Sequence, residues 1–192
     1  MTGLIGRTVK KLTNGKVVIP RIYALDPALP CFELPGCFSG FVTISKDDAA
    51  YVQIIHTNAG ILGVRKSAGH VDFFPNGGHK QVGCEGLSDY SCHHARAYFF
   101  FQESVRNPRA FQAVRCNSLD DFKANRCYSI TEHMGFGANI NARGEFYLRT
   151  QADLFEASLG AEGTKNQDFK IFGINGLLKS VKSMKDGNSS QI

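Results

Sequence analysis

No stretch of the 192 residues stays apolar long enough to span a bilayer, which excludes a membrane-crossing helix. The opening MTGLIGRTVKK turns basic too soon, and is apolar too briefly, to read as a secretory leader. Charge of one sign is also scarce. Twenty-two Lys and Arg against seventeen Asp and Glu leave a formal +5 that is scattered along the chain. A nucleic-acid partner would need a concentrated basic face, so none is expected. Two local basic clusters, Arg7–Lys11 and Lys179–Lys185, read as solvated surface, with peripheral contact to anionic lipid as the alternative. There is no internal repeat. What is present is a 43% hydrophobic chain of single-domain length, which suits a globular fold and argues against disorder.

Six cysteines stand at positions 31, 37, 84, 92, 116 and 127. An even number with Cys84/Cys92 and Cys116/Cys127 closely spaced favours disulfides and an oxidising compartment. An oxidising compartment without a leader is a mismatch, and it points to a natural N-terminus upstream of Met1.

The elements follow from periodicity and punctuation. Lys16–Leu25 is β-rich and stops at the prolines of DPALP. Ala50–Thr57 is a second β-branched run closed by NAG, and Gly69–Phe74 alternates until PNGG breaks it. From His94 to Val105, Tyr98, Phe101 and Val105 fall at helical spacing, with Asn107–Pro108 as the stop. Ser118–Asp121 has the form of a capping box that opens a short helix. Gly144–Thr150 reads as a strand, DFKIFGI as one more, and KSMKDGNSSQI as a disordered tail. Strands alternating with helical stretches predict an α/β layout, with residues 1–150 as the body and 151–192 as a terminal strand and tail.

Asp26 ends a predicted strand, where open α/β sheets place functional groups. His94 stands between a cysteine-closed loop and a helix. A carboxylate and an imidazole are two parts of a nucleophile–base–orienter triad: the imidazole takes the nucleophile's proton, and the carboxylate fixes its tautomer. Residue type alone leaves this reading weak, because any chain with six histidines offers such pairs.

The wording around these residues is more specific. RIYALDPALPCF (21–32), IHTNAG (55–60), GHVDFFPNGG (69–78), CHHARA (92–97) and then Glu103–Ser104 closely resemble the animal lipase family, which includes pancreatic-type lipases and secreted phospholipases A1. The resemblance runs in order from about residue 3 to residue 150. It implies an α/β-hydrolase fold and a secreted enzyme that splits carboxylic esters of lipids at a lipid–water interface, with no cofactor. It puts the triad aspartate at Asp26 and the triad histidine at His94, with His93 a variable neighbour and Arg96 and Ala97 completing the motif. Cys84 and Cys92 resemble the pair that anchors the family's lid, and Cys116/Cys127 a disulfide closing a helix-bearing loop. Cys31 and Cys37 have no counterpart in the resemblance.

The departure is as informative. The family nucleophile lies on a G-x-S-x-G elbow ahead of the aspartate, and no such pattern occurs here. Ser39, in CFSGF, lacks the first glycine and follows Asp26. The expectation is therefore an incomplete α/β-hydrolase domain, its first strands, elbow and oxyanion-hole amides lying upstream. Only EGLSDYS separates Cys84 from Cys92. The family's triglyceride lipases carry a longer lid, so this short one, with the short 56–70 stretch, favours phospholipid over acylglycerol.

Rival readings of the same residues are weaker. His79, Cys84, Cys92, His93 and His94 lack the paired-ligand spacing of structural zinc. Cys92 with His94 as a thiol nucleophile fails if Cys92 is in a disulfide. Of the family's calcium ligands only Asp48 has a counterpart, with Thr43 and Ser45 nearby, so no metal is expected. His56 and His70, at strand ends, read as hydrogen-bonded interior residues. Against the enzyme stands a non-catalytic lipase-like protein that binds lipid or serves as a yolk-type store, and an incomplete product that never folds alone.

Overall fold

The computed structural model describes residues 2–29, 43–85 and 89–153. Six strands form one mixed sheet: β1 (Arg21–Leu25), β2 (Tyr51–Ile55), β3 (Val71–Pro75), β4 (Gln112–Arg115), β5 (Thr131–His133) and β6 (Gly144–Leu148). Their spatial order is β1-β2-β3-β6-β4-β5. The first four in that order run parallel, β4 runs antiparallel to β6, and β5 at the far edge runs antiparallel to β4. Every residue of β2 and β3 is buried, as expected of central parallel strands covered on both faces.

Alternation along the strands divides the core. Tyr51, Ile55, Val71, Phe73, Phe146 and Leu148 point to one face, where Ala97 and Phe100 of helix α2 (Tyr90–Arg106) pack on them. Ile22, Ala24, Val52 and Ile54 point to the other. Helix α1 (Thr2–Leu12) lies on that side through Gly3 and Gly6, so close that a Cβ at Gly6 would strike the backbone carbonyl of Asp48. Further along the same face, Phe74 and Tyr147 meet Phe122 of the short helix α3 (Leu119–Lys123). Ser118 caps α3 by accepting from the amide of Asp121.

Several expectations shift. The first strand begins at Arg21, not Lys16, since Pro20 precedes it and Val17 and Val18 remain exposed. Helix α2 starts four residues before His94, at Tyr90, because Asp89 accepts from the amide of Cys92 and caps it there. The β4–β5 edge was not read from the sequence at all. The predicted strand at DFKIFGI, the tail, the Lys179–Lys185 cluster, and Ser39, Cys31 and Cys37 lie outside the described residues.

Candidate active site

The parallel strands converge on one edge of the sheet, and the candidate residues leave from their C-terminal ends. Asp26 directly follows β1 and takes a left-handed backbone, φ +46°. Aspartate tolerates that region better than most side chains, at a cost of about 1–3 kcal/mol. The turn is tied down by the amide of Asp26, which donates to the carbonyl of Ile55 at 2.8 Å. The carboxylate is 1% exposed and fully occupied. Oδ1 accepts from the backbone amides of Thr57 (2.8 Å) and Asn58 (3.0 Å), just past β2. Oδ2 lies 2.6 Å from Nδ1 of His94.

His94 comes from the first turns of α2, and its side chain is 38% exposed. Because a carboxylate can only accept, Nδ1 donates and Nε2 is left as the working nitrogen. No hydrogen bond among the described residues engages Nε2. The bond to Asp26 raises the His94 pKa above its ordinary value, partial desolvation opposes this, and the aspartate's charge adds to the rise. The pair is thus built to hold the imidazolium that forms when Nε2 takes a proton.

The surrounding shell was not legible from motifs. The hydroxyl of Thr57 donates to the carbonyl of His94 at 3.3 Å, linking the β2 turn to the helix that carries the imidazole. Gly63 presses on the Asp26 carboxylate so closely that a Cβ there would overlap it. Gln81 is a buried hub: its side-chain amide donates to the carbonyls of Thr57 and Pro75, and its oxygen accepts from Asn76. No spacing rule marks these residues, since Thr57, Gly63 and Gln81 each meet a partner more than twenty positions away in the chain.

The two neighbouring histidines divide cleanly. His93 is buried, and its Nδ1 accepts from the amide of Gln81 at 2.9 Å, a bond only the neutral ring can make. Desolvation lowers its pKa, against the pull of Asp89. His93 is therefore structural in this arrangement, and His94 is the ring presented to solvent. Arg96 is buried and donates to the carbonyls of Ala152 and Asp153, fixing residues 152–153 to α2. Cys84–Cys92 are bonded and close a loop at the start of α2, and Cys116–Cys127 are bonded across α3. A thiol nucleophile at Cys92 is excluded by that bond. Asp48 accepts from Arg7 Nε at 2.8 Å and from the amide of Ser45 at 2.9 Å. His79 donates from Nδ1 to the carbonyl of Ala59 at 2.7 Å.

A buried aspartate after one parallel strand, bonded to an imidazole at the start of a helix, has the geometry of an orienting acid and a base. Residues 1–154 match the sequence model of the family described as Lipase. The chain belongs to the lipase family. Among curated relatives, pancreatic triacylglycerol lipase of Sus scrofa is 37% identical over 139 residues, 60% of this chain and 30% of that protein. The Ictidomys tridecemlineatus protein of the same name is 37% identical over 171 residues, 72% of this chain and 36% of that one. Pancreatic lipase-related protein 3 of Homo sapiens is 38% identical over 131 residues, 56% and 27% respectively. The lipase-family chain thus spans about a third of the length of the curated relatives it matches.

Proposed function

We propose that this lipase-family chain carries the base and the orienting acid of a carboxylic ester hydrolase acting on lipids. Asp26 orients His94. Nε2 of His94 takes the proton of a serine, the alkoxide attacks the ester carbonyl, and the imidazolium then protonates the departing alcohol. The same nitrogen next activates the water that releases the acyl group. The serine, on a G-x-S-x-G elbow, is not among the 192 residues and in this reading comes from the longer product. The observation that carries the proposal is the 2.6 Å contact between a buried carboxylate and an otherwise unengaged, solvent-facing imidazole.

The substrate is a lipid ester met at an interface, in keeping with the relatives named triacylglycerol lipases. Cys84 and Cys92 stand only 8 positions apart, a segment too short for a lid that could cover much apolar surface. That supports a substrate with a polar head group, a phospholipid cleaved in the manner of a phospholipase A1, ahead of a triglyceride. The two disulfides support an extracellular location. The test is hydrolysis of phospholipid and triacylglycerol emulsions by the longest native product, with His94→Ala beside it. Turnover that falls at least about a thousandfold on substitution supports the reading. Tight lipid binding without turnover defeats it in favour of a lipid-binding or storage protein.

A further inference from the structure

The 57–58 turn bears more than its sequence shows, since its two amides hold Asp26 and its hydroxyl reaches the helix of His94. Directly before that turn lies a second histidine–aspartate pair, this one fully buried. His56, immediately before Thr57, is 0% exposed, and its Nε2 lies 2.8 Å from Oδ1 of Asp72 in β3. Its Nδ1 lies 3.1 Å from the carbonyl of Val64. Each ring nitrogen therefore faces an acceptor. The backbone amide of His56 donates to Phe73 at 2.9 Å, and the ring stacks on Phe74 with centroids 4.5 Å apart. Asp72 in turn accepts from the amides of Ala68 and Gly69.

These bonds join β2, β3 and the 64–69 segment around one residue. Between them lies the loop 58–63, whose Gly63 lies against the Asp26 carboxylate and donates to the carbonyl of Asn58 at 3.0 Å. A buried polar pair tied to three segments by several hydrogen bonds has little freedom to move, and the residue next to it inherits that rigidity. We propose that His56 and Asp72 are positioning residues: they fix the Thr57–Asn58 amides, and through them set the geometry of Asp26 and His94. The inference rests on the hydrolase reading and adds to it a pair that does not touch the reacting atoms.

The test compares the full chain with His56→Gln and Asp72→Asn, by amide hydrogen exchange and by NMR titration of His94. The proposal expects the Thr57 and Asn58 amides to exchange at least about tenfold faster relative to the amides of β6 in either variant. It also expects the His94 midpoint to fall by about half a pH unit as its bond to Asp26 loosens. Should both sets of amides speed up equally while the His94 midpoint stays put, the pair is merely structural and the proposal is overturned. If one variant does not fold, the other gives the same readout. The unsubstituted chain gives a third: rapid exchange at Thr57 and Asn58 would overturn the proposal without any variant. A wild-type His94 that titrates as a free imidazole, with no downfield Nδ1 proton, would instead defeat the hydrolase reading itself.

Discussion

The smallest scale on which function can be argued is the carboxylate of Asp26. Two amides and an imidazole N–H share its oxygens, so the buried charge is satisfied only while all three donors stay in place. Asp26→Asn puts an amide where an acceptor is required. The ring of His94 then turns or changes tautomer, and under the proposed function ester turnover by the longest native product is expected to fall by about four orders of magnitude with little change in KM. Gly63→Ala attacks the same atoms sterically. The added methyl cannot coexist with the carboxylate, and thermal denaturation should show a loss of about 2–3 kcal/mol. The raised pKa of His94 has a signed consequence too. The base works only when neutral, so the acid limb of the kcat/KM profile should lie above the ordinary imidazole value of 6.5. A limb at or below that value would contradict the Asp26–His94 bond. Short motifs name both residues in the sequence, and the structure brings them into contact. The left-handed backbone of Asp26 was not legible there, since nothing in its neighbours distinguishes a strand that stops from one that turns sharply.

At the scale of elements, histidines act as acceptors that join one segment to another. His70 takes the amide of Val52 on its Nδ1 at 3.0 Å, tying the entry of β3 to β2, and His93 takes that of Gln81, tying α2 to the 76–81 turn. Desolvation lowers the pKa of both, and a protonated nitrogen could no longer accept. The unfolded chain therefore binds protons that the folded chain refuses. The stability these rings contribute is complete above the ordinary value of 6.5 and is lost as pH falls through the depressed folded values. His94 acts in the opposite sense: its raised pKa adds stability below 6.5 that disappears as pH rises through its folded value. Denaturant unfolding of His93→Gln should flatten the acid loss, and His94→Ala should remove the alkaline one. A double substitution of the Cys116–Cys127 bond by serine belongs here as well. Its loop is short, 11 positions, so chain entropy gives an expected cost of about 2–3 kcal/mol. Strands β1 to β3 were readable from β-branched runs and turn residues, and helix α2 from helical spacing and its Asn107–Pro108 stop. Tyr98 and Val105 of that spacing are exposed, however, and Ala97, Phe100 and Ser104 lie on the buried face instead. Strands β4 and β5 were not readable, because Gln112–Arg115 and Thr131–His133 are short, half-exposed and rich in polar side chains. Only their pairing with each other and with β6 makes them strands.

Over the whole molecule, the candidate site lies at the strand ends beside α2, and α1 packs on the opposite face of the sheet. Asp26, Thr57 and Asn58 leave the C-terminal ends of β1 and β2, where an α/β sheet leaves room for a ligand. Alternating motifs could announce an α/β class, but the order β1-β2-β3-β6-β4-β5 depends on contacts far apart in the chain. Helix α1 shows what that order achieves. It packs on Ile44, Asp48 and Ile22, and it can approach only because positions 3 and 6 lack side chains. Arg7 then reaches the buried Asp48 and the carbonyl of Thr43, fastening the helix to the segment before β2. Gly6→Ala places a methyl on the Asp48 carbonyl, and neither backbone can yield without lifting α1 from the sheet. Thermal or urea unfolding should register a loss of about 2–4 kcal/mol. The same variant, while folded, should titrate His94 at the wild-type midpoint, because the Asp26–His94 pair is built from the strand ends and α2 and not from α1. A His94 midpoint that moved with Gly6→Ala would mean that the two faces of the sheet are coupled, and that α1 belongs to the machinery of the site and not only to its support.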